Sequence, residues 1–248
     1  MNGAGLQKFE HPLNERTRIY LRIESLFRKL GHSADLTRPF EYQVFFSSLF
    51  NMLDILEQVQ VKADLGKDLE KLRLQYRAWM DIEDVDQQAL LSILEQISQV
   101  HQNLMKTTRP GHSLKEDRFL SALKQRFFIP GGDCCFDLPA LHYWLHLPLE
   151  VRCKNTHNWM SQLLPLSDAL SLWLRLTRET ARLKPQIARK GFMQSEMENS
   201  NLLRLEIPIE YGVYPMISGH KSRFALRFIS FETNKNCEKD IEFSLSVC

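Results

Sequence analysis

The 248-residue chain has no long apolar run. Nothing in it approaches the ~18 uncharged residues of a membrane-spanning helix. Its first residues bring charges and a proline early and lack the apolar centre of a secretory signal. A cytoplasmic, reducing location is therefore expected, where the five cysteines, an odd number, remain free thiols. An excess of charge is missing too: 32 Lys and Arg oppose 30 Asp and Glu, for a net +2. Chain-wide attraction to nucleic acid is thus weak, and any basic site must be local. Catalytic signatures are absent as well. Gly131-Gly132 and Gly219 stand isolated, which leaves no phosphate-cradling glycine loop, and no Gly-x-Ser-x-Gly elbow occurs. Cys134 and Cys135 are adjacent, a poor spacing for chelating one zinc from a short loop. No cofactor, metal or enzymatic activity is expected.

What is present is an ordinary globular composition, 44% hydrophobic and 25% charged, long enough for one large or two small domains with a substantial core. Helical periodicity dominates the first part. A helix capped at Asn14 or Thr17 and ending near Leu30 places Ile19, Ile23, Leu26 and Leu30 on one stripe, with Arg18, Arg22 and Lys29 a quarter-turn away. That basic edge has two readings: a solvated flank, or the border of a docking surface. Tyr42, Phe46, Leu49, Leu53 and Leu56 mark a helix over 41–59. Val61, Leu65, Leu69, Leu72, Tyr76 and Trp79 follow at near-heptad steps, as an internal hairpin or a dimer seam. Asp86 opens a fourth helix, and Glu83-Asp84 beside it are favourable partners of its dipole. Ser113-Leu114-Lys115-Glu116 reads as a capping box for a fifth.

The period then changes. After Pro130-Gly131-Gly132, Leu141, Tyr143, Leu145 and Leu147 alternate with His142, Trp144 and His146, which predicts a strand between Pro139 and Pro148. His142 and His146 would share a face. Without an acidic pattern nearby they are histidines of an interface or sheet surface as readily as metal ligands. Helical spacing returns over 156–183, interrupted at Pro165. Alternation over 202–209, 224–231 and 241–247 predicts antiparallel strands, with turns at Tyr211-Gly212, Ser218-Gly219 and Asn234-Lys235-Asn236. Residues 1–8 read as a loose tail and 192–200 as a polar loop. The expected class is α+β, with a helical domain over 9–127 and 149–184. A β domain over 128–148 and 185–248 combines the C-terminal strands with a strand segment inserted between helices. In Ile217-Ser218-Gly219-His220-Lys221-Ser222-Arg223-Phe224 a flexible glycine precedes three cationic groups, an anion-binding loop or a solvated hairpin. Arg118, after Glu116-Asp117, is an ion-pair member or a further binding cation.

Four blocks then resemble, in order, the ZapD family of bacterial cell-division proteins (the YacF family). They are Phe9-Glu10-His11-Pro12-Leu13-Asn14-Glu15 with Leu21-Arg22-Ile23-Glu24; Ile129-Pro130-Gly131-Gly132 with Phe136-Asp137-Leu138-Pro139; Leu141-His142 with Trp144-Leu145-His146-Leu147-Pro148; and Ile217 through Ala225. The resemblance implies a helical domain joined to a β domain, a homodimer, and a non-enzymatic cytoplasmic factor at the mid-cell division ring. The implied partner is the tubulin-like GTPase FtsZ, bound by its C-terminal tail, with cross-linking and bundling of its filaments. Neither a membrane nor a nucleic-acid partner is expected. Arg22, Arg118 and His142 occupy the matching positions for tail binding, and Arg18, His220, Lys221 and Arg223 are added to that set. Two departures stand out. Asp133 separates the glycines from Cys134-Cys135, which directly follow them in the family, and residues 31–70 and 192–200 match poorly. The rival class is a nucleic-acid-binding module using the same arginines and the His220-Lys221 loop on phosphates. A hydrolase pairing His142 with a cysteine lacks a usable spacing.

Overall fold

The computed structural model describes residues 5–82, 85–197, 200–220 and 222–248. The backbone separates into two units, one formed by Arg22–Trp173 and the other by the residues up to Leu21 with Leu174–Cys248. The class is α+β, with helices in the first unit and antiparallel strands dominating the second. The helices are α1 (Glu15–Ser33), α2 (Glu41–Gln58), α3 (Val61–Ala78), α4 (Gln87–Lys106), α5 (His112–Glu116), α6 (Arg118–Phe127), α7 (Pro139–Leu145), α8 (Leu149–Ser161) and α9 (Leu164–Glu179). Both α1 and α9 run across the boundary between the units.

Side chains satisfy the helix ends that the backbone leaves open. Asn14 Oδ1 accepts the Thr17 amide at 2.8 Å and caps α1. Asp86 accepts from Ala89 at 3.0 Å for α4, and Asp117 from Leu120 at 3.0 Å for α6. At the opposite ends, cations take the orphan carbonyls. Arg109 donates to Leu56 O and Glu57 O at 3.3 and 2.8 Å, and Lys62 Nζ to Met105 O and Thr107 O at 3.1 and 2.5 Å. The capping box at Ser113 does not form. Gly111, with φ of 76°, opens α5, and the Ser113 hydroxyl donates to Gln162 at 2.5 Å. The chain then breaks at Asp117 before α6 begins.

The helical core converges on Phe46. Its ring lies between 5.3 and 6.1 Å from those of Phe45, Phe50, Phe119, Phe127, Trp144 and Trp159, which draws α2, α6, α7 and α8 together. In the near-heptad stripe Val61, Leu65, Leu69, Leu72 and Tyr76 are buried, with α3 packed on α4 as an internal hairpin, whereas Trp79 at its end is exposed. In α1, Tyr20 joins Ile23, Leu26 and Leu30 in the buried stripe, while Ile19 is only partly covered.

The inserted strand expected near 140–147 is a helix. Pro139 stands at the start of α7, the His142 amide donates to Leu138 O at 3.1 Å, and Leu141 and Trp144 are buried three residues apart. A short alternating run fits both periods, and the aromatic core decides it by claiming Trp144, which alternation would have put opposite Leu141. Segment 128–148 accordingly belongs to the helical unit, not to the β domain.

In the β unit, β1 (Leu6–Pro12), β4 (Leu202–Pro208), β7 (Ile241–Val247) and β2 (Lys184–Ala188) form a four-stranded antiparallel sheet in the order β1-β4-β7-β2. β3 (Phe192–Glu196), β6 (Arg223–Ser230) and β5 (Val213–His220) form a three-stranded sheet in the order β3-β6-β5. Leu203, Leu205, Ile207, Phe243 and Leu245 from the first join Phe224, Leu226 and Phe228 from the second in one core, with Phe9 against it. Three expectations change here. Residues 6–8 are strand rather than tail, 192–196 strand rather than loop, and Ser218-Gly219 lies inside β5 rather than in a turn. The Lys190-Gly191 turn between β2 and β3 has positive φ at both residues, 48° and 67°, as a tight hairpin of right-handed strands requires.

Replacing Phe46 by alanine should lower the unfolding free energy of the helical unit by about 3–5 kcal/mol. The same change at Phe231, 82% exposed, should cost under about 0.5 kcal/mol. Denaturant titration of both variants checks this.

Candidate functional site

The expected site residues divide between the units. Arg22, Arg118 and His142 lie in the helical unit, whereas Arg18, His220 and Arg223 lie in the β unit. Lys221 lies outside the described residues, as does the Glu83-Asp84 pair.

Arg22 follows Leu21 on α1 and is exposed, one residue before buried Ile23. Among the described residues it has no carboxylate partner. The reason is legible in the sequence, since Arg18, Ile19, Ser25 and Leu26 occupy the positions three and four away. One turn earlier Arg18 differs: its Nε donates to Glu15 at 3.2 Å. That pair is exposed and contributes about 0.2–1 kcal/mol.

Arg118 is the first residue of α6 and is exposed. The two acids before it are otherwise engaged. Asp117 caps Leu120 with one oxygen and accepts the Trp159 indole N–H at 3.2 Å with the other. Glu116 faces His112 at 3.6 Å. Among the described residues Arg118 therefore has no ion pair, and a cation is left at the positive end of a helix dipole. Its neighbour Phe119 faces Trp144 of α7 with ring centroids 6.0 Å apart, so α6 and α7 adjoin and present Arg118 and His142 from neighbouring elements.

His142 is exposed on α7. Its ring lies 4.5 Å from that of His146, whose Nδ1 is 2.7 Å from His142 O. Among the described residues, no third ligand joins them in a cluster that could hold a metal. Tyr143 beside it is 71% exposed. Sequence reasoning missed that aromatic surface because the strand reading turned Tyr143 inwards. The helical spacing of Leu141, Trp144 and Leu145 is the signal that finds it.

The glycine-containing loop of the β unit is a strand end. His220 pairs in register with Arg223 across the β5–β6 hairpin, and Gly219 pairs with Phe224. Arg223 lies 3.6 Å from Glu196 in an exposed pair. Arg18 has a second role, at His11. Partial burial, and then the positive charge of Arg18, hold the His11 imidazole below its ordinary pKa.

Two measurements follow from these environments. His11 binds its proton more readily in the unfolded chain, so its contribution to stability falls as pH drops from above about 6.5 towards its depressed folded value. An NMR titration should place its midpoint below that of an ordinary histidine, and Arg18→Gln should move it only part of the way back, because burial is the larger cause. Separately, Arg118→Glu should raise stability by about 0.3–1 kcal/mol, since it replaces a cation in the first helical turn by an anion. A loss of stability in thermal unfolding would contradict that electrostatic account.

The sequence model of the family described as "ZapD: Cell division protein" matches residues 21–227. The chain is 92% identical over 248 residues to the cell division protein ZapD of Aliivibrio fischeri, with all of both chains covered. It is 58% identical over 241 residues to that of Vibrio atlanticus, covering 97% of this chain and 98% of the relative.

Proposed function

This chain belongs to the ZapD family of cell division proteins, and from that membership we propose that it is a non-enzymatic division factor binding the C-terminal tail of FtsZ. Arg22, Arg118 and His142 form the tail-binding set. As a homodimer the protein cross-links and bundles FtsZ filaments, in the cytoplasm at the mid-cell ring. Among the described residues no helix is long and apolar enough to cross a membrane.

The observation that carries the site assignment is the state of the two arginines. Both are exposed, and neither is neutralised by an acid of its own chain among the described residues. A guanidinium in that state receives an incoming carboxylate with two parallel hydrogen bonds and breaks no internal pair to do so. Arg18 and Arg223 each have a local acid to give up first, which makes them secondary. His142 and exposed Tyr143 supply a donor and an apolar face from α7, the helix that adjoins α6.

A disordered tail loses chain entropy when it is held, so a single contact is weak. Two sites in a dimer overcome this on a polymer, where neighbouring tails are present at high local concentration. α3, α4 and the segment joining them leave Leu74, Trp79, Ile82 and Leu91 exposed, and in this reading the second copy docks on such exposed apolar residues.

A fluorescent FtsZ tail peptide titrated against the full chain tests the reading. Wild type should bind with an affinity that falls as salt rises. Arg22→Glu and Arg118→Glu should each weaken it about tenfold or more, as expected for loss of a charge-assisted pair worth 1.5–3 kcal/mol. Arg223→Glu should have a smaller effect. Unchanged peptide binding in both helical variants would overturn the site. Preferential capture of an oligonucleotide over the peptide would favour a nucleic-acid module. Sedimentation of the purified protein as a monomer would remove the bundling mechanism.

A further inference from the structure

Between α6 and α7 the chain makes a succession of turns that presents two adjacent thiols, Cys134 and Cys135, both free and exposed. The turn is tied down around them. Gln43 Nε2 donates to Asp133 at 2.6 Å, Arg126 meets Asp137 at 3.4 Å, and the Cys134 amide donates to Gly131 O at 3.3 Å. Cys134 O accepts two amides, from Asp137 at 3.1 Å and Leu138 at 2.9 Å, and Leu138 is the residue from which α7 starts. The other thiols, Cys153, Cys237 and Cys248, are separated in sequence and at least partly buried.

Geometry limits what such a pair does. Neighbouring Cα atoms are about 3.8 Å apart, short of the roughly 4.4–6.8 Å that an ordinary disulfide spans, so direct S–S closure strains the backbone. A tetrahedral zinc needs four ligands, and no cluster of three His, Cys, Asp or Glu suited to a metal exists among the described residues. A larger, soft, pyramidal centre that needs two sulfurs at nearly a right angle fits better. It lengthens the bridge between the thiols and requires no third side chain.

We propose that Cys134 and Cys135 form a two-thiolate chelating site for trivalent arsenicals. With an organoarsenic oxide, both thiols give up their protons, the arsenic–oxygen bonding is replaced by two arsenic–sulfur bonds, and the oxygen leaves with the two protons as water. Arsenic stays trivalent, so no oxidant or reductant takes part. The ring so formed stiffens the turn whose carbonyl holds the Leu138 amide, and thereby the start of α7.

Phenylarsine oxide added to the reduced full chain, read by intact mass, tests this. One arsenical per chain should add with loss of water, and a dithiol such as 2,3-dimercaptopropanol should remove it where glutathione at equal thiol concentration does not. Cys134→Ser and Cys135→Ser should each weaken binding by at least about tenfold, the loss of the second, intramolecular bond. A Cys153→Ser, Cys237→Ser, Cys248→Ser triple variant should bind as wild type. Exchange of the Leu138 amide should slow on binding. Wild-type affinity in either single variant, equal stripping by glutathione, or loss of the adduct in the triple variant would overturn the proposal.

Discussion

The helical unit depends on one ring, that of Phe46. Placed in the second turn of α2, it meets aromatic side chains from α6, α7 and α8, and the connecting segments follow from that meeting. Edge-to-face contacts fix orientation as well as distance. Phe119 and Trp144 are therefore held at set rotations about their helices, and Arg118 and His142, one and two residues before them, are turned outwards as a result. The outward-facing chemistry of this unit is a by-product of how its interior packs.

The cations of this protein fall into two groups. Arg109 and Lys62 are spent on helix carbonyls, Arg178 on Glu10 through bonds of 2.8 and 2.7 Å, and Lys124 on Asp54. These hold the fold together. Among the described residues Arg22 and Arg118 do nothing of the kind, and Arg118 even opposes its own helix dipole. In a chain with nearly balanced charge, an uncompensated cation at an unfavourable position is informative, because the fold gains nothing from it.

Long periodic elements were legible in the sequence. α2, α3, α4 and the strands β4, β6 and β7 repeat their pattern often enough for one period to win. The errors cluster in short pieces, where tertiary partners decide. β1 turns Gln7 and His11 towards the partly covered side along with Phe9, so it shows no apolar alternation and exists because β4 pairs with it. β3 is similar, with Ser195 beside Met193 on its partly covered face. At α7 seven residues fit either period until Trp144 is claimed by the aromatic core. Of the candidate site, the basic edge of α1 and the missing acids around Arg22 could be read directly. The release of Arg118 could not, because it depends on Asp117 being drawn to the Trp159 indole across 42 residues.

The pairing of β1 with β4 also imposes an order of assembly. The helical unit is one uninterrupted stretch, Arg22–Trp173, whereas the first sheet joins residues 6–12 to residues 202–208. On a ribosome, which releases the chain from its N-terminus, the helices can close on one another while β1 still waits for its neighbour. β1 stays without its partner until β4 is made, which comes only after the whole helical stretch. Charged Lys8 and Glu10 on that strand are suited to keep it from pairing elsewhere in the meantime.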